Sequence, residues 1–145
     1  MERALAVAQQ AERLGEVPVG ALIVWDGIVL GQGGNRTECD QDPLAHAEMG
    51  AIRQAAACLG SRRLLATTIY VTLEPCAMCA GAIVLARIPR LVFGAADPKT
   101  GACGSLRNVV QDQRLNHRCQ VLGGVIEDKC IDLLQRFFIR LRAEK

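Results

Sequence analysis

The dipeptide Asp26-Gly27, which separates two apolar β-branched runs, restricts the fold more than any other feature of the sequence. The two runs are residues 19–25 and residues 28–30. An Asp-Gly pair between such runs is a strong signal for a two-residue β-hairpin, because both residues tolerate the positive φ angles that the turn requires. The sequence therefore predicts that the first two strands are antiparallel neighbours in one sheet.

Helical and extended patterns alternate along the rest of the chain. Apolar spacing predicts helices at residues 2–14, 44–59, 75–87 and 127–142, strands at 68–73, 90–94 and 120–122, and loops at 32–43 and 95–113. This order predicts an α/β fold, a three-layer α/β/α sandwich with a mixed five-stranded sheet in which the helix-linked strands are parallel. Because no linker or repeat divides the chain, residues 1–145 are expected to form a single domain.

Composition excludes several classes of protein. Half of the residues are hydrophobic, which is enough for a sizeable core. The chain has 17 Lys and Arg against 15 Asp and Glu, and this balance argues against a histone-like basic protein. Aromatic residues make up only 3%, too few for a platform that stacks many bases. No apolar run approaches the roughly 18 residues of a membrane span, and no signal-peptide pattern is present, so a cytoplasmic protein is expected.

The seven cysteines indicate a reducing compartment, because an odd number cannot pair completely within one chain. Only Cys76 and Cys79 have the short spacing of metal ligands. The other five are expected to be small buried apolar side chains: Cys39, Cys58, Cys103, Cys119 and Cys130.

Two short motifs carry the chemistry, His46-Ala47-Glu48 and Pro75-Cys76-Ala77-Met78-Cys79. Cysteines at i and i+3 of a helix lie on one face, and a helix amino terminus favours thiolates. His46 offers a third ligand from 30 residues upstream of Cys76. A set of one His and two Cys leaves one position of a tetrahedral zinc open, which is typical of a catalytic site. Glu48 is then placed to take a proton from a metal-bound water.

The spacing of His46 and Glu48 raises a difficulty, since positions i and i+2 of a regular helix do not share a face. We therefore expect the metal to lie near the helix end, or the first turn to be irregular.

The two motifs resemble the signature of the zinc-dependent nucleobase deaminases, in which His-x-Glu precedes Pro-Cys-x-x-Cys. Within that superfamily the chain resembles the bacterial tRNA-specific adenosine deaminases over nearly its whole length. Besides the two motifs, the matching segments are residues 16–21, 35–36, 42–43, 72–74, 80–82, 92–95, 97, 99–101, 104–106 and 116–118.

This resemblance implies a cytidine-deaminase-like fold and a hydrolase that acts on the C–N bond of a cyclic amidine. Its reaction would be the deamination of adenosine to inosine at the wobble position of a tRNA anticodon. A zinc-activated water would attack the base and Glu48 would shuttle protons. The resemblance implies one Zn²⁺ per chain, with His46, Cys76 and Cys79 as its ligands.

The resemblance also implies the substrate contacts and the partners. Val17 would pack on the base, Asn35 would contact the nucleoside, the backbone N–H of Ala47 would bind a ring or carbonyl atom, and Asp97 would contact the RNA near the target. The expected partners are a tRNA anticodon stem-loop and a second copy of the chain in a homodimer. Neither a membrane nor DNA is expected as a partner.

Two alternatives stay open at this point. A deaminase of free nucleobases or nucleosides, of the guanine or cytosine type, would use the same metal chemistry with a different pocket. A non-catalytic zinc or redox module would need either a fourth protein ligand or a disulfide that forms and breaks.

Overall fold

The computed structural model describes all residues, 1–145, and contains five helices and five strands. The elements follow one another in the order α1 (Glu2–Arg13), β1 (Gly20–Trp25), β2 (Ile28–Gly34), α2 (Thr37–Asp40), α3 (Ala47–Leu59), β3 (Thr68–Leu73), α4 (Ala77–Leu85), β4 (Arg90–Ala95), β5 (Gln120–Leu122) and α5 (Glu127–Ala143).

The five strands form one mixed sheet in the order β2-β1-β3-β4-β5. Strand β1 is antiparallel to both of its neighbours, whereas β3, β4 and β5 are parallel. The predicted hairpin is confirmed, because Trp25 pairs with Ile28 across a two-residue turn. Asp26 and Gly27 have φ angles of 47° and 75°, the sign that this turn requires at both positions.

Helices cover both faces of the sheet, so the prediction of a three-layer α/β/α sandwich is confirmed. Helices α3 and α4 pack on one face in the main core, where Ile23, Ile69, Ile83 and Leu91 are completely buried. Helices α1 and α5 pack on the other face in a smaller core that includes Leu133. Each fully buried Leu or Ile contributes about 1.5–3 kcal/mol to folding, so these two cores hold the layers together.

Helix α3 lies unusually close to strand β2 because glycines face it. A Cβ atom on Gly33 would lie 2.8 Å from the backbone nitrogen of Ala51 and closer still to the carbonyl oxygen of Ala47. Gly31 meets α3 in the same way one turn further along, at Ala51 and Ala55. The absence of side chains at these strand positions lets the helix backbone rest directly on the sheet.

Several predicted boundaries are wrong, including the end of α4, which is Leu85 rather than residue 87, and the predicted loop 32–43 contains the short helix α2. Strand β2 continues to Gly34, although a loop is predicted from residue 32 onward, because the backbones of residues 31–34 pair with β1. Helix α3 begins at Ala47 rather than at residue 44, and α4 begins at Ala77 rather than at residue 75. No helix combines the length and the apolar character that crossing a membrane requires.

Candidate active site

The amino termini of α3 and α4 bring the two sequence motifs together. His46 is the cap residue before α3, with extended dihedrals of φ −74° and ψ 155°. Cys76 is the cap residue before α4, with φ −72° and ψ 177°, and Cys79 lies in the first turn of that helix. Because His46 precedes the helix and Glu48 lies within it, the i and i+2 side chains can border one site. The spacing difficulty noted in the sequence is thereby resolved.

The imidazole of His46 faces both cysteines. Its Nδ1 lies 3.6 Å from Sγ of Cys76 and 3.5 Å from Sγ of Cys79, and the three ligand atoms lie within 4.8 Å of one another. Tetrahedral zinc with Zn–N near 2.0 Å and Zn–S near 2.3 Å requires N···S separations of about 3.5 Å. The donor atoms and their spacing therefore fit a tetrahedral zinc ion, and no fourth His, Cys, Asp or Glu belongs to the group.

Hydrogen bonds and burial adjust the ionisation of the cluster. Two hydrogen bonds hold the pKa of Cys76 far below its usual range, and the one from Cys79 has a larger effect than the one with His46. The hydrogen bond with Cys76 raises the pKa of His46. Burial raises the pKa of Glu48 to about 6, which is close to neutral pH. A carboxyl group with such a pKa can both accept and release a proton under physiological conditions.

A pocket of about 230 Å³ opens beside this cluster. All four residues that the resemblance implied as substrate contacts line it, namely Val17, Asn35, Ala47 and Asp97. Five further residues line it, to which the resemblance assigned no role: Val19, Thr37, Leu73, Glu74 and Thr100. A larger surface groove of about 400 Å³ runs between α1 and α5, but the metal-ligating group does not border it.

Asn35 is held in one orientation by a buried carboxylate. Its Nδ2 donates to Oε2 of Glu16 over 3.1 Å, and Glu16 is completely buried. Oε1 of Glu16 also accepts from the backbone N–H of Cys39 over 2.7 Å. With its amide nitrogen engaged, Asn35 presents Oδ1 as the free acceptor. Glu16 lies in the matching segment 16–21, but neither the motifs nor the resemblance assigned it a role, and an acidic residue two positions before the buried stretch Pro18–Ile23 is a usable signal for a buried polar contact.

Asp97 organises its own loop. Its Oδ1 accepts from the backbone N–H groups of Lys99 and Thr100 over 2.9 and 3.2 Å, and its Oδ2 accepts from the Thr100 hydroxyl over 2.6 Å. The side-chain hydrogen bond from Thr100 and these backbone bonds lower the pKa of Asp97 despite the opposing effect of its burial. The Asp97 turn is therefore a preformed part of the pocket wall.

Two cysteines contradict the expectation that all five outside the cluster are buried. Cys39 and Cys58 are exposed, because Cys39 lies in α2, which has no buried residue, and Cys58 lies in the last turn of α3, where residues 57–59 are all exposed. Cys103, Cys119 and Cys130 are buried, as expected. All seven thiols are free, and the metal-ligating group lacks the fourth protein ligand that a structural zinc site would have.

The sheet order, the His/Cys/Cys group and the buried glutamate beside a pocket define a deaminase with the cytidine-deaminase-like fold. A family model described as MafB19-like deaminase matches residues 1–142, and the chain belongs to this family. The expected fold class is thus confirmed.

Known proteins that resemble the chain extend this result. The chain is 48% identical over its whole length to a Bacillus subtilis protein named tRNA-specific adenosine deaminase, of which it covers 90%. A solved structure from a study of A-to-I editing by tRNA:A34 deaminases at the wobble position is 46% identical and superposes with a TM-score of 0.89. That match covers 92% of this chain and 97% of the other. A guanine deaminase structure from Bacillus subtilis is 39% identical, with a TM-score of 0.63, and covers 66% of this chain and 61% of its own.

Proposed function

We propose that the protein hydrolyses the 6-amino group of adenosine, giving inosine and ammonia, at the wobble position of a tRNA anticodon. The observation that carries this proposal is the three-ligand group beside a buried Glu48, in a chain similar over its full length to tRNA-specific adenosine deaminases. The chain is 48% identical over its whole length to a tRNA-specific adenosine deaminase, whereas its match of 39% identity to a guanine deaminase extends over 66% of the chain, so the RNA substrate is favoured over a free base.

His46, Cys76 and Cys79 hold one zinc ion per chain. Their nitrogen and sulfur donors suit zinc among the common metals, and the N···S separations of 3.5 and 3.6 Å match its tetrahedral coordination. When bound, zinc makes a coordinated water acidic enough to supply the nucleophile at neutral pH. The low pKa of Cys76 keeps one sulfur ready as a thiolate ligand.

Glu48 moves the protons of the reaction. It is 4% exposed, and its pKa of about 6 suits alternate uptake and release of a proton. The carboxylate takes one proton from the attacking water and delivers it to N1 of the base, and it then moves a second proton from the new 6-hydroxyl group to the amino nitrogen. Water thereby replaces the amino group, which leaves as ammonia, and Glu48 returns to its starting state.

The remaining pocket residues hold the nucleoside after it has left the base stack. Val17 packs on the base, and the backbone N–H of Ala47 donates to a ring or carbonyl atom, since a helix's first N–H groups have no acceptor within the helix. Oδ1 of Asn35 accepts from the nucleoside. Asp97, which also lines the pocket, contacts the RNA near the target nucleotide.

The partners follow from the family resemblance. The substrate is a tRNA anticodon stem-loop, and the chain acts as one domain, residues 1–145, within a homodimer in the cytoplasm.

The test compares an anticodon stem-loop with free adenosine and free guanine, with inosine, xanthine and ammonia as readouts. We expect inosine from the stem-loop and negligible turnover of the free compounds. Turnover of a free compound alone would refute the RNA substrate and favour the free-base alternative.

The Glu48→Gln variant tests the proton shuttle. We expect it to bind one zinc per chain and to lose at least about 1,000-fold in kcat, because the amide cannot accept the proton. The matched control is His46→Ala, which should lose both zinc and turnover. Activity close to wild type in Glu48→Gln would remove Glu48 from the mechanism.

A further inference from the structure

Glu74 is a second buried carboxylate at the pocket, distinct from Glu48 and from the metal-ligating group. It is 3% exposed and immediately precedes the segment Pro75-Cys76. None of the salt bridges in the structure involves it. A buried carboxylate is costly unless hydrogen bonds replace its lost water, so its partners indicate why it is there.

All three side-chain hydrogen bonds of Glu74 come from one loop. Its Oε2 accepts from the backbone N–H groups of Cys103 and Ser105 over 3.3 and 3.2 Å, and its Oε1 accepts from the Ser105 hydroxyl over 2.6 Å. The loop lies directly against the carboxylate, since a Cβ atom on Gly101 would be only 2.5 Å from Cδ of Glu74. The carboxylate thus binds residues 101–105 to the strand end that leads into Cys76.

The segment before this loop forms part of the wall of the pocket that His46 and Glu48 also line. Residues 97–101 make a closed turn, in which the backbone N–H of Gly101 donates to the carbonyl of Asp97 over 2.9 Å and the Asp97 side chain bonds Thr100. Asp97 and Thr100 both line the pocket. Because the turn is internally rigid, its position relative to the metal-ligating segment depends on how residues 101–105 are attached.

We infer that Glu74 is a positioning residue for RNA binding, which fixes the 97–105 loop against the metal-ligating segment and so presets the width of the pocket. This inference rests on the proposed function for its substrate. Besides Glu74, the backbone bond from Ala102 N–H to the Pro75 carbonyl, at 2.8 Å, attaches the loop there. Loss of the carboxylate leaves that attachment, so the metal ligands keep their places while the wall becomes mobile.

A matched pair of variants separates hydrogen-bond geometry from charge. Glu74→Gln keeps all three contacts, because its oxygen can accept from both backbone N–H groups while its NH₂ donates to the Ser105 hydroxyl. Glu74→Ala removes all three. Ser105→Ala removes only the hydroxyl bond at an exposed position and leaves the buried carboxylate in place.

The experiment measures kcat and KM on an anticodon stem-loop, zinc content, and hydrogen exchange at the amides of Cys103 and Ser105. For Glu74→Ala we expect KM to rise at least about tenfold, because the loop must be ordered on binding, with kcat within about threefold and one zinc per chain. The two amides should exchange at least about tenfold faster. Glu74→Gln should match wild type within about threefold in every readout, and Ser105→Ala should raise KM about two- to fivefold.

Several outcomes would overturn the inference. They are an unchanged KM in both alanine variants, a loss confined to kcat, or a Glu74→Gln variant as impaired as Glu74→Ala. If Glu74→Ala does not fold, the Ser105→Ala variant tests the inference instead, since its KM and the exchange rates of the amides at residues 103 and 105 should both rise. If the wild-type protein does not act on RNA, the proposed function fails, while the exchange rates of the two amides still test the attachment.

Discussion

Replacing Gly33 by alanine should displace the amino-terminal turn of α3, which carries His46 and Glu48. A Cβ atom at this position would meet the Ala51 nitrogen at 2.8 Å and the Ala47 carbonyl oxygen at a shorter distance. Cβ contacts under 3.0 Å are essentially never found, and both atoms are backbone, so no side-chain rotation relieves the overlap. The helix and the strand must therefore separate by about 1 Å or slightly more to restore ordinary contact distances.

The displacement sets the expected size of the effect. Overpacking of this kind costs about 1–3 kcal/mol. For a chain of this length the unfolding entropy is roughly 0.3 kcal/mol/K, which converts that cost to a fall in Tm of about 3–10 °C. A misplacement of about 1 Å at a reacting group can cost about 100-fold in rate, so we expect kcat/KM to fall at least about tenfold.

Gly50→Ala is the matched control, since it adds the same methyl group to the same helix–strand contact. Its Cβ would lie 3.5 Å from Cα of Gly33, which is an ordinary contact. Alanine is favoured over glycine within a helix by about 1 kcal/mol, so Tm should rise by up to about 3 °C with kcat/KM unchanged. Thermal melts and stem-loop kinetics measure both variants. A Gly33→Ala protein with wild-type Tm and kcat/KM would show that this close approach does not position the site.

Two further predictions concern the exposed thiols and the buried Glu16. With zinc bound, an alkylating reagent should label only Cys58 and Cys39. Cys39 should react more slowly, because its hydrogen bond with Glu16 raises its pKa and so reduces its thiolate fraction at neutral pH. A third rapidly labelled cysteine, detected by mass spectrometry, would contradict the burial assigned to the other thiols. Glu16→Gln loses at least one hydrogen bond however its amide is turned, because all its side-chain partners except a hydroxyl are N–H donors. A bond to a charged group contributes about 1.5–3 kcal/mol, so kcat/KM should fall about 10- to 100-fold with zinc retained, and Cys39 should be labelled faster; unchanged kinetics would refute the role of Glu16 in orienting Asn35.

The sequence was sufficient for the hairpin, the alternation of elements and the ligand types, because each depends on neighbours in the chain. Asp26-Gly27 meets the backbone demands of its turn wherever it occurs, and cysteines three apart at the start of a helix face the same way. His46, Cys76 and Cys79 were identified as a set from residue type and spacing, and the structure brings their ligand atoms within 4.8 Å of one another.

Only the tertiary structure decided how those residues meet. The glycines of β2 predict a loop, because glycine disfavours strands. In the fold they lie in a strand, where the absence of side chains lets the backbone of α3 approach closely, and the position of α3 is not visible in the local sequence. Glu16 and Glu74 gave no periodic signal, since their hydrogen-bond partners lie 19 to 31 residues away. A local sequence pattern indicates the conformation that the backbone prefers and which face of a helix or strand is buried. It does not record which distant donor a buried carboxylate will find, because that depends on how the layers pack.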